Sequence, residues 1–350
     1  MIKRLASTTA LCITFSTGPL HAQLVDTVFA KYQAEVEKSA EKALAYLASV
    51  QTEDGGFGRG YGSSTGVVSL VGMAFLSKGY LPGIGRYGGT INRCVDFVLS
   101  QQQPNGVLNR GRGNETMYAH NISTLFLTEV SGMVDPARQR LVAEASGRAL
   151  RLILDAQAIP KSERNRGGWR YKPESTDSDL SCSGWALMAL KSARLNGARV
   201  PDEAIDAAVA YLLRHYDEKK GGFGYTSPQA KDTLAGCGLL CLELTGFHGD
   251  PRTFKTGDYI LSTLETLAAS SHQYYGNYYN AQATFQLGGK YWETYAGWMY
   301  PHYLPLQRAD GAWPGRKYGD AYTTSMVLLS MTVPYRQLPI YQRDETVDEE

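Results

Sequence analysis

Gln51-Thr52-Glu53-Asp54-Gly55-Gly56-Phe57 decides the fold, because the same pattern returns along the whole chain. In this pattern a Gln is followed four residues later by Gly and six residues later by a large apolar residue. Two further clear copies are Gln102-Gln103-Pro104-Asn105-Gly106-Val107-Leu108 and Gln307-Arg308-Ala309-Asp310-Gly311-Ala312-Trp313. Six copies of one motif indicate a repeat architecture. The weaker copies run from Gln157, with an insertion, to Gly167-Gly168-Trp169, from Asp217 through Gly221 to Phe223, and from His272 through Gly276 to Tyr278.

Each copy lies between two helical patterns of different character. The stretch before it is amphipathic, as in Ala40, Ala43, Leu44 and Leu47, which share one helix face. The stretch after it is apolar on nearly every face, which is typical of a helix buried on both sides. Twelve helices that alternate in this way predict an all-α fold, an (α/α)6 toroid of six helix pairs whose inner helices line a central cavity. The predicted inner stretches include 66–76, 122–127, 184–190, 234–242 and 325–333.

The composition is that of an ordinary globular protein. The chain has 350 residues, 43% of them hydrophobic, with 35 Lys and Arg against 34 Asp and Glu. This content is sufficient for a large core and excludes a disordered chain. A formal net charge of +1 gives no reason to expect nucleic acid as a partner. Contact with a membrane surface is possible but is not indicated, and no protein partner can be named.

The chain is predicted to consist of one domain between two short terminal segments. Residues 1–22 have a basic start, a mildly apolar middle and a small-residue end at Ala22, as in a secretory signal peptide. We therefore expect an exported protein, periplasmic or secreted, although a plain N-terminal helix is the alternative. The toroid is predicted over residues 23–340, and 341–350 is predicted to be a charged tail.

The four cysteines that follow the predicted cleavage site do not form a dense framework. No CxxC pair occurs among them, and Cys237 and Cys241 lie one helical turn apart in an apolar stretch. Buried small side chains are therefore the favoured interpretation over a disulfide or a metal site. We predict no metal and no cofactor.

At this point the repeat resembles a known family. The pattern Gln-x-x-x-Gly-x-Trp/Phe, in alternation with the two helix types, resembles the QW repeat of squalene–hopene cyclases, oxidosqualene cyclases and the toroid of prenyltransferase β-subunits. The resemblance covers essentially residues 25–340. It implies the α/α toroid fold and, for an enzyme of this type, terpenoid-cyclase chemistry, although a fold alone does not fix a function.

One junction between an outer and an inner helix carries a more specific resemblance. Asp177-Ser178-Asp179 resembles the first three positions of the DxDD motif of class II terpene cyclases. The resemblance implies that Asp179 is the acid that protonates a double bond or epoxide and that Asp177 is its partner, since a nearby carboxylate raises one of the two pKa values. The last Asp of the motif is Leu180 here. A helix N-cap is the alternative role for either Asp.

The same mouth of the toroid is predicted to bind the substrate. Residues 274–303 hold 11 aromatic side chains, and aromatic faces stabilise carbocations, stack on ligands or fill space between helices. Asp320-Ala321-Tyr322 stands where prenyltransferase β-subunits carry an Asp-x-Cys zinc pair, but Tyr322 cannot replace that thiolate, which argues against zinc. The candidate substrate-binding residues are Tyr118, His120, Trp169, Tyr171, Asp232, Tyr275, Tyr278, Asn280, Asp320 and Tyr322.

Three functional hypotheses remain open at this stage. The first is an exported terpenoid-cyclase-type enzyme that binds an apolar or amphipathic, isoprenoid-like small molecule and uses Asp179 as proton donor. The second is a non-catalytic toroid that binds a hydrophobic ligand, a glycan or a protein partner across its mouth. The third is a carbohydrate-active enzyme in which Asp179 would act with Asp232 or Asp320. The missing last Asp and the room for only one toroid count against the first.

Overall fold

A computed structural model describes residues 27–58, 60–109, 116–315 and 317–342. The predicted signal peptide, residues 1–22, and residues 343–350 of the predicted tail lie outside this part of the chain. Thirteen α-helices occur in the described ranges: α1 (Thr27–Val50), α2 (Thr65–Ser77), α3 (Gly88–Ser100), α4 (Thr116–Glu129), α5 (Pro136–Ala158), α6 (Leu180–Leu195), α7 (Asp202–Leu213), α8 (Asp232–Leu244), α9 (Pro251–Ser262), α10 (Leu264–Ala269), α11 (Gln273–Leu287), α12 (Gly289–Tyr303) and α13 (Asp320–Met331).

The helices form two concentric rings, as the alternating pattern predicts. The inner ring closes through contacts of α2 with α4, α4 with α6, α6 with α8, α8 with α11, α11 with α13 and α13 with α2. The outer helices α1, α3, α5, α7, α9 and α12 pack around it, and α1 contacts both α12 and α13. Every residue of α2 is buried, whereas α1 buries only one face. The difference follows from their sequences, because only α1 carries charges along one side.

The Gln of the repeat joins consecutive outer helices. Gln51 follows α1, and its Nε2 donates to the carbonyl of Gly55 at 3.3 Å and to that of Thr90 in α3 at 3.2 Å. Gln102 makes the equivalent bonds to Gly106 and Ala145, and Gln157 to Gly167 and Ala204. One amide group therefore fixes its own loop and the next outer helix at once, which explains the position of the Gln in the motif.

The Gly of the repeat is required by the backbone and by close packing. Gly55, Gly106, Gly167, Gly221 and Gly311 all have φ between +85° and +98°, a region in which a side chain is strained. A β-carbon at each position would also come within 2.0 to 2.9 Å of a backbone oxygen of the following outer helix. The loop therefore touches the next helix directly, and only Gly permits that contact.

The fifth predicted copy of the repeat is wrong. His272 immediately precedes α11, and Gly276 and Tyr278 lie inside that helix, so no loop forms there. The chain passes from α10 into α11 through only three residues, which leaves no room for the repeat turn. Gly276 serves a different purpose, since a β-carbon on it would come within 3.0 Å of the Cα of Thr233. It allows the close approach of α11 to the start of α8.

The axis of the toroid is filled below its entrance. Trp185 of α6 stacks on Tyr278 of α11, with 5.1 Å between ring centroids, and it also contacts Tyr279 at 5.3 Å. These helices are not neighbours in the ring, so their rings meet inside it. All three side chains are at most 1% exposed. At this depth, in the described residues, packed aromatic side chains therefore occupy the centre of the ring that the inner helices line.

The opposite end of the barrel, where the inner helices finish, is covered by residues 333–342. The backbone N–H of Ile340 donates to Oε2 of Glu129 at the end of α4 (3.2 Å). The hydroxyl of Tyr341 donates to the carbonyl of Leu329 (3.0 Å), and Tyr341 is 1% exposed. We call this segment the C-terminal strap. Because the strap covers this end, the mouth, where the inner helices begin, is the end at which a ligand site can form.

Candidate functional site

Asp179 is the fully buried carboxylate of the mouth. It is the N-cap of α6, and its Oδ1 accepts hydrogen bonds from the backbone N–H of Cys182 (2.8 Å) and from the hydroxyl of Ser181 (2.6 Å). Its Oδ2 lies 3.3 Å from Nη1 of Arg170. Burial raises the pKa of Asp179, while the bonds from Ser181 and Cys182 and the charge of Arg170 act in the opposite direction. The residue is thus a helix cap and a protonatable acid together.

Asp177 does not contribute as the motif implies. Its side chain is 59% exposed and reaches Nε of Arg170 at 3.4 Å, on a different part of the same guanidinium. The raised pKa of Asp179 comes from burial rather than from a second carboxylate. The expectation that Asp177 raises the pKa of Asp179 is therefore wrong, because a cation stands between the two groups.

Tyrosine side chains surround Asp179 at the mouth. The hydroxyl of Tyr118, in α4, is hydrogen-bonded to that of Ser181, and the hydroxyl of Tyr171 to that of Tyr225. The rings of Tyr118 and Tyr171 are 5.8 Å apart. Tyr275, in α11, lies close enough to Asp179 for that carboxylate to help raise its pKa, although burial is the main cause. These tyrosines are only half-buried.

Tyr322 extends this group toward the last inner helix. It is half-buried, its ring contacts that of Tyr318 at 5.1 Å, and it lies near enough to Tyr275 to influence its pKa. Burial raises the pKa of Tyr322 itself. Of the predicted residues, the fold therefore brings Tyr118, Tyr171 and Tyr275 close to Asp179, and Tyr322 lies next to Tyr275. We call these four, with Tyr225, the tyrosine rim.

His120 and Trp169 lie in the wall and not in the rim. Nδ1 of His120 accepts from the N–H of Leu108 (3.1 Å), and Nε2 lies 3.2 Å from the carbonyl of Ala149. Burial lowers the pKa of His120 to about 4. The indole N–H of Trp169 donates to the carbonyl of Ile153 in α5 (2.7 Å). Both side chains are fully engaged in joining elements of the two rings, so we assign them structural roles.

Tyr278 and Asn280 also belong to the packed interior. Tyr278 fills the axis against Trp185. Oδ1 of Asn280 accepts from the N–H of Gly236 in α8 (3.0 Å), and the residue is 1% exposed. Their predicted contact with substrate is not supported by this placement, because α11 enters the core within one turn of its start.

Asp232 and Asp320 are engaged away from Asp179. Oδ1 of Asp232 accepts from the N–H of Thr233 (2.8 Å). Asp320 accepts from Arg308 (2.6 Å) and from the N–H of Gly315 (2.7 Å). Neither appears among the hydrogen-bonding and charged partners of Asp179. Each of these two carboxylates is therefore bonded to groups of its own loop or helix rather than to Asp179.

Three residues of the site were not among the sequence candidates. Arg170 and Ser181 contact Asp179 directly, and Tyr225 bonds Tyr171. The repeat contained a signal for Tyr225, because it follows Phe223 by two residues just as Tyr171 follows Trp169. No local pattern marks Arg170 or Ser181, whose roles arise from the backbone bond between the N–H of Asp179 and the carbonyl of Trp169.

The described residues show neither a metal cluster nor a spanning helix. No three His, Cys, Asp or Glu side chains in these ranges are grouped as metal ligands. None of the helices described has both the length and the apolar character needed to cross a bilayer. Cys94, Cys182, Cys237 and Cys241 are all buried, in agreement with the interpretation of these cysteines as small core side chains.

Comparison with solved structures shows one consistent fold. The apo structure of the type II terpene cyclase MstE from Scytonema has a TM-score of 0.59 and 12% identity, over 87% of this chain and 99% of that one. A variant of MstE in complex with geranylgeranyl dihydroxybenzoate, its substrate, has a TM-score of 0.55 and 14% identity over 88% and 100% of the two chains. A variant bound to merosterolic acid A, its product, has a TM-score of 0.56 and 13% identity over 88% and 99%.

Sequence comparison adds a partial match. Drimenyl diphosphate synthase from Streptomyces showdoensis is 27% identical over 189 residues, which is 54% of this chain. The match spans 32% of the length of that protein. No protein-family model matches the chain. At identities of 12–14%, the structural likeness establishes architecture. The chain therefore has the all-α toroid fold of the type II terpene cyclases.

Proposed function

We propose that this protein is a type II terpene-cyclase-like enzyme that cyclises an isoprenoid or isoprenoid-bearing substrate at its mouth, with Asp179 as the acid. The observation that carries the proposal is the position of Asp179. It is a carboxyl group with 0% exposure and a raised pKa, and it lies beside the half-buried tyrosine rim. A buried carboxyl group with a raised pKa next to aromatic side chains is suited to alkene protonation.

The initiating step follows from these groups. The O–H bond of Asp179 breaks, and the π electron pair of the substrate alkene forms a new C–H bond with that proton. A carbocation remains on the substrate and a carboxylate on Asp179. Ring closure consumes further π bonds, and the last cation loses a proton or captures water. Proton uptake from solvent then restores Asp179. When a proton is lost, the reaction is an isomerisation.

The chain offers two means of stabilising these charges. The carboxylate left on Asp179 is already bonded by Ser181 and Cys182 and lies next to Arg170. The carbocation would lie against the faces of the tyrosine rim, since ring faces attract cations. All five rim tyrosines have raised pKa values, mainly through burial. They therefore stay neutral at ordinary pH and present no phenolate that would trap the cation.

The size of the chain is no objection to this proposal. The matched MstE chain is covered over 99% of its length by this single toroid, and MstE is described as a type II terpene cyclase. Residues 25–340 alone could therefore supply a site. We also propose that the protein acts outside the cytosol, from the signal-peptide pattern of residues 1–22. N-terminal sequencing of the mature protein tests export, since cleavage after Ala22 would leave Gln23 as the first residue.

A second candidate function is supported by the packed axis. Trp185, Tyr278 and Tyr279 fill the ring below the mouth, so a ligand would be held at the rim and not enclosed deep in the barrel. A protein that binds an amphipathic ligand without converting it would need no more than this. Product analysis distinguishes the enzyme from the binding protein, because only the enzyme consumes its ligand.

The decisive experiment compares the wild type with Asp179→Asn. Both are incubated with geranylgeranyl dihydroxybenzoate, farnesyl diphosphate, squalene and envelope lipid extract, and products and retained ligands are identified by mass spectrometry. Asn keeps an oxygen acceptor for Cys182, so the variant should fold but form no cyclic product. Asp135→Asn is the matched control, since Asp135 is also an N-cap, of α5 on the outer ring. Equal turnover by Asp179→Asn would refute the acid, and retained but unconverted ligand in every sample would favour the binding protein.

A further inference from the structure

Arg170 lies at the mouth between two aspartates, Asp179 and Asp177. Its Nη1 lies 3.3 Å from Oδ2 of Asp179, and its Nε lies 3.4 Å from Oδ2 of Asp177. Its side chain is only 20% exposed. Among the ion pairs of the described residues, this is the one that involves Asp179. The guanidinium therefore links the buried carboxyl group to an exposed one.

The orientation of Arg170 is fixed from several sides. Its guanidinium carbon lies 4.4 Å from the ring centroid of Tyr171 and 5.4 Å from that of Tyr225. The hydroxyls of these two tyrosines are bonded to each other, so the two rings are held in place around the cation. A planar guanidinium that contacts two rings and two carboxylates loses little freedom when the acid reacts. A lysine ammonium could not make all of these contacts.

Apart from Arg170, and from Asp177 on the other side of that guanidinium, the titratable groups that interact with Asp179 are neutral. These neutral groups come from the loops and from helices α4, α7, α8 and α11, and none of them carries a charge near pH 7. The pKa values of these groups are all raised, mainly by burial. Arg170 therefore supplies the positive charge that acts on Asp179 near neutral pH. The neutral groups are Tyr118, Tyr171, Tyr211, Tyr225, Tyr275 and Cys237.

The presence of Leu180 makes the charge of Arg170 more important for Asp179. Leu180 stands where the DxDD motif has its last carboxylate, it is 0% exposed, and its side chain offers no hydrogen bond. The groups that engage the side chain of Asp179 are Ser181, Cys182 and Arg170, and only Arg170 carries a full charge.

We propose that Arg170 is the positioning residue of this acid: it orients Oδ2 of Asp179 and stabilises the carboxylate that remains after the proton has left. This inference rests on the proposed function for its catalytic meaning. The electrostatic part stands on the contacts alone. A positive charge within 3.3 Å of the carboxylate favours its ionised form and so makes the buried group a stronger acid.

The test follows the titration of Asp179 directly and needs no turnover. The carboxyl band of Asp179 is isolated by infrared difference between each full-length protein and its Asp179→Asn counterpart over pH 3 to 9. Arg170→Gln should raise the midpoint by about 1 to 3 pH units, the range for loss of an adjacent opposite charge. Arg170→Lys should give a smaller shift in the same direction, because the charge remains while the geometry is lost.

Arg164→Gln is the matched control. Arg164 lies on the same loop and donates to the carbonyl of Thr226, so this variant loses a tie between the same two loops without touching Asp179. Its midpoint should equal that of the wild type. An unchanged midpoint in Arg170→Gln, or an equal shift in Arg164→Gln, would overturn the proposal. If Arg170→Gln does not fold, Arg170→Lys provides the measurement, and an unchanged midpoint there would overturn it equally.

Kinetics distinguish this inference from the proposed reaction. If the wild type is active, Arg170→Gln should lower kcat with little change in KM, and the limb of the pH profile that reports Asp179 should move with the infrared midpoint. If the wild type forms no product but the midpoint still shifts, the electrostatic role of Arg170 stands and the cyclase proposal fails. The role of Arg170 and the cyclase reaction are thus tested by separate measurements.

Discussion

Gly311, in the last repeat, touches the backbone of Lys42 in the first helix, and a β-carbon on Gly311 would come within 2.3 Å of the Lys42 carbonyl oxygen. The two residues lie 269 positions apart in the sequence and join the ends of the outer ring. Gln307 reinforces the same closure through its bond to the carbonyl of Ser39 (2.9 Å). The last repeat loop therefore contributes to closure of the outer ring, which makes that loop a place to test the fold.

Gly311→Ala should destabilise the protein by about 2 to 5 kcal/mol. A side chain at φ +98° costs about 1–2 kcal/mol, and the clash with Lys42 adds about 1–3 kcal/mol of overpacking. Denaturant unfolding measures the difference. Gly132→Ala is the control, because Gly132 has φ +83° but no heavy atom near its β-carbon position. Equal losses in both variants would show that strain, and not ring closure, determines the result.

Gln307→Glu should lower the free energy of unfolding by about 1–3 kcal/mol. The amide Nε2 donates to the carbonyls of Ser39 and Gly311, each at 2.9 Å, and a carboxylate would leave both acceptors without a donor. Chemical denaturation at pH 7 provides the measurement. Gln101→Glu, whose amide bonds only the neighbouring Ser100 hydroxyl, should change stability by much less. A neutral effect at Gln307 would contradict the role assigned to the motif.

Glu129 should make the protein less stable as pH rises from about 4.5 to 7. Burial raises its pKa to about 7, against the bonds from Ser192 and the N–H of Ile340. The folded state therefore binds the proton more tightly than the unfolded state, and this stabilisation is lost above the folded pKa. Its size is about 3 kcal/mol at 1.36 kcal/mol per pKa unit. Glu129→Gln should flatten this part of the stability profile, measured by thermal and denaturant unfolding.

The same variant tests the C-terminal strap. Tyr278 and Tyr341 are the titratable groups that face Glu129, and both remain neutral because their pKa values are raised. Because the bond from the Ile340 N–H favours the ionised carboxylate, hydrogen exchange of the Ile340 amide, corrected for its intrinsic pH dependence, should slow as Glu129 ionises near pH 7 in the wild type, and not in Glu129→Gln. Identical profiles in the two proteins would mean that the carboxylate does not control the strap.

His120 should act in the opposite direction. Burial lowers its pKa to about 4, so the folded state favours the neutral ring. Its contribution is complete above the unfolded pKa near 6.5 and is lost as pH falls toward 4, by about 3 kcal/mol. His120→Gln in a Glu129→Gln background should remove this dependence, as measured by denaturant unfolding between pH 4 and 7. Because His120 lies in the wall, the folded variant should keep any turnover that the wild type shows.

The sequence alone predicted the architecture, and the physical reason is local. Helices that are apolar all round must be enclosed, and helices with one charged face must lie outside them. The repeat Gln and Gly act through contacts that each loop makes with the next outer helix, as at Gly167 and Ala207. A sequence repeat with a period of roughly 50 residues therefore indicates the two rings of helices directly. The repeat prediction failed at the degenerate fifth copy. There Gly276 lies inside a helix and allows close packing against α8, and it does not form a turn.

The sequence also marked Asp179, but tertiary structure decided its surroundings. Burial of Asp179, the cation between it and Asp177, and the bonded pair Tyr171 and Tyr225 depend on how the third and fourth repeat loops meet. The depth of the mouth depends on Trp185 and Tyr278, which come from helices that are not neighbours in the ring. Hydrophobic periodicity records which face of a helix is buried, but not which distant side chain fills the space opposite. The sequence was therefore sufficient to predict the toroid, whereas the charge and shape of its mouth could be determined only from the tertiary structure.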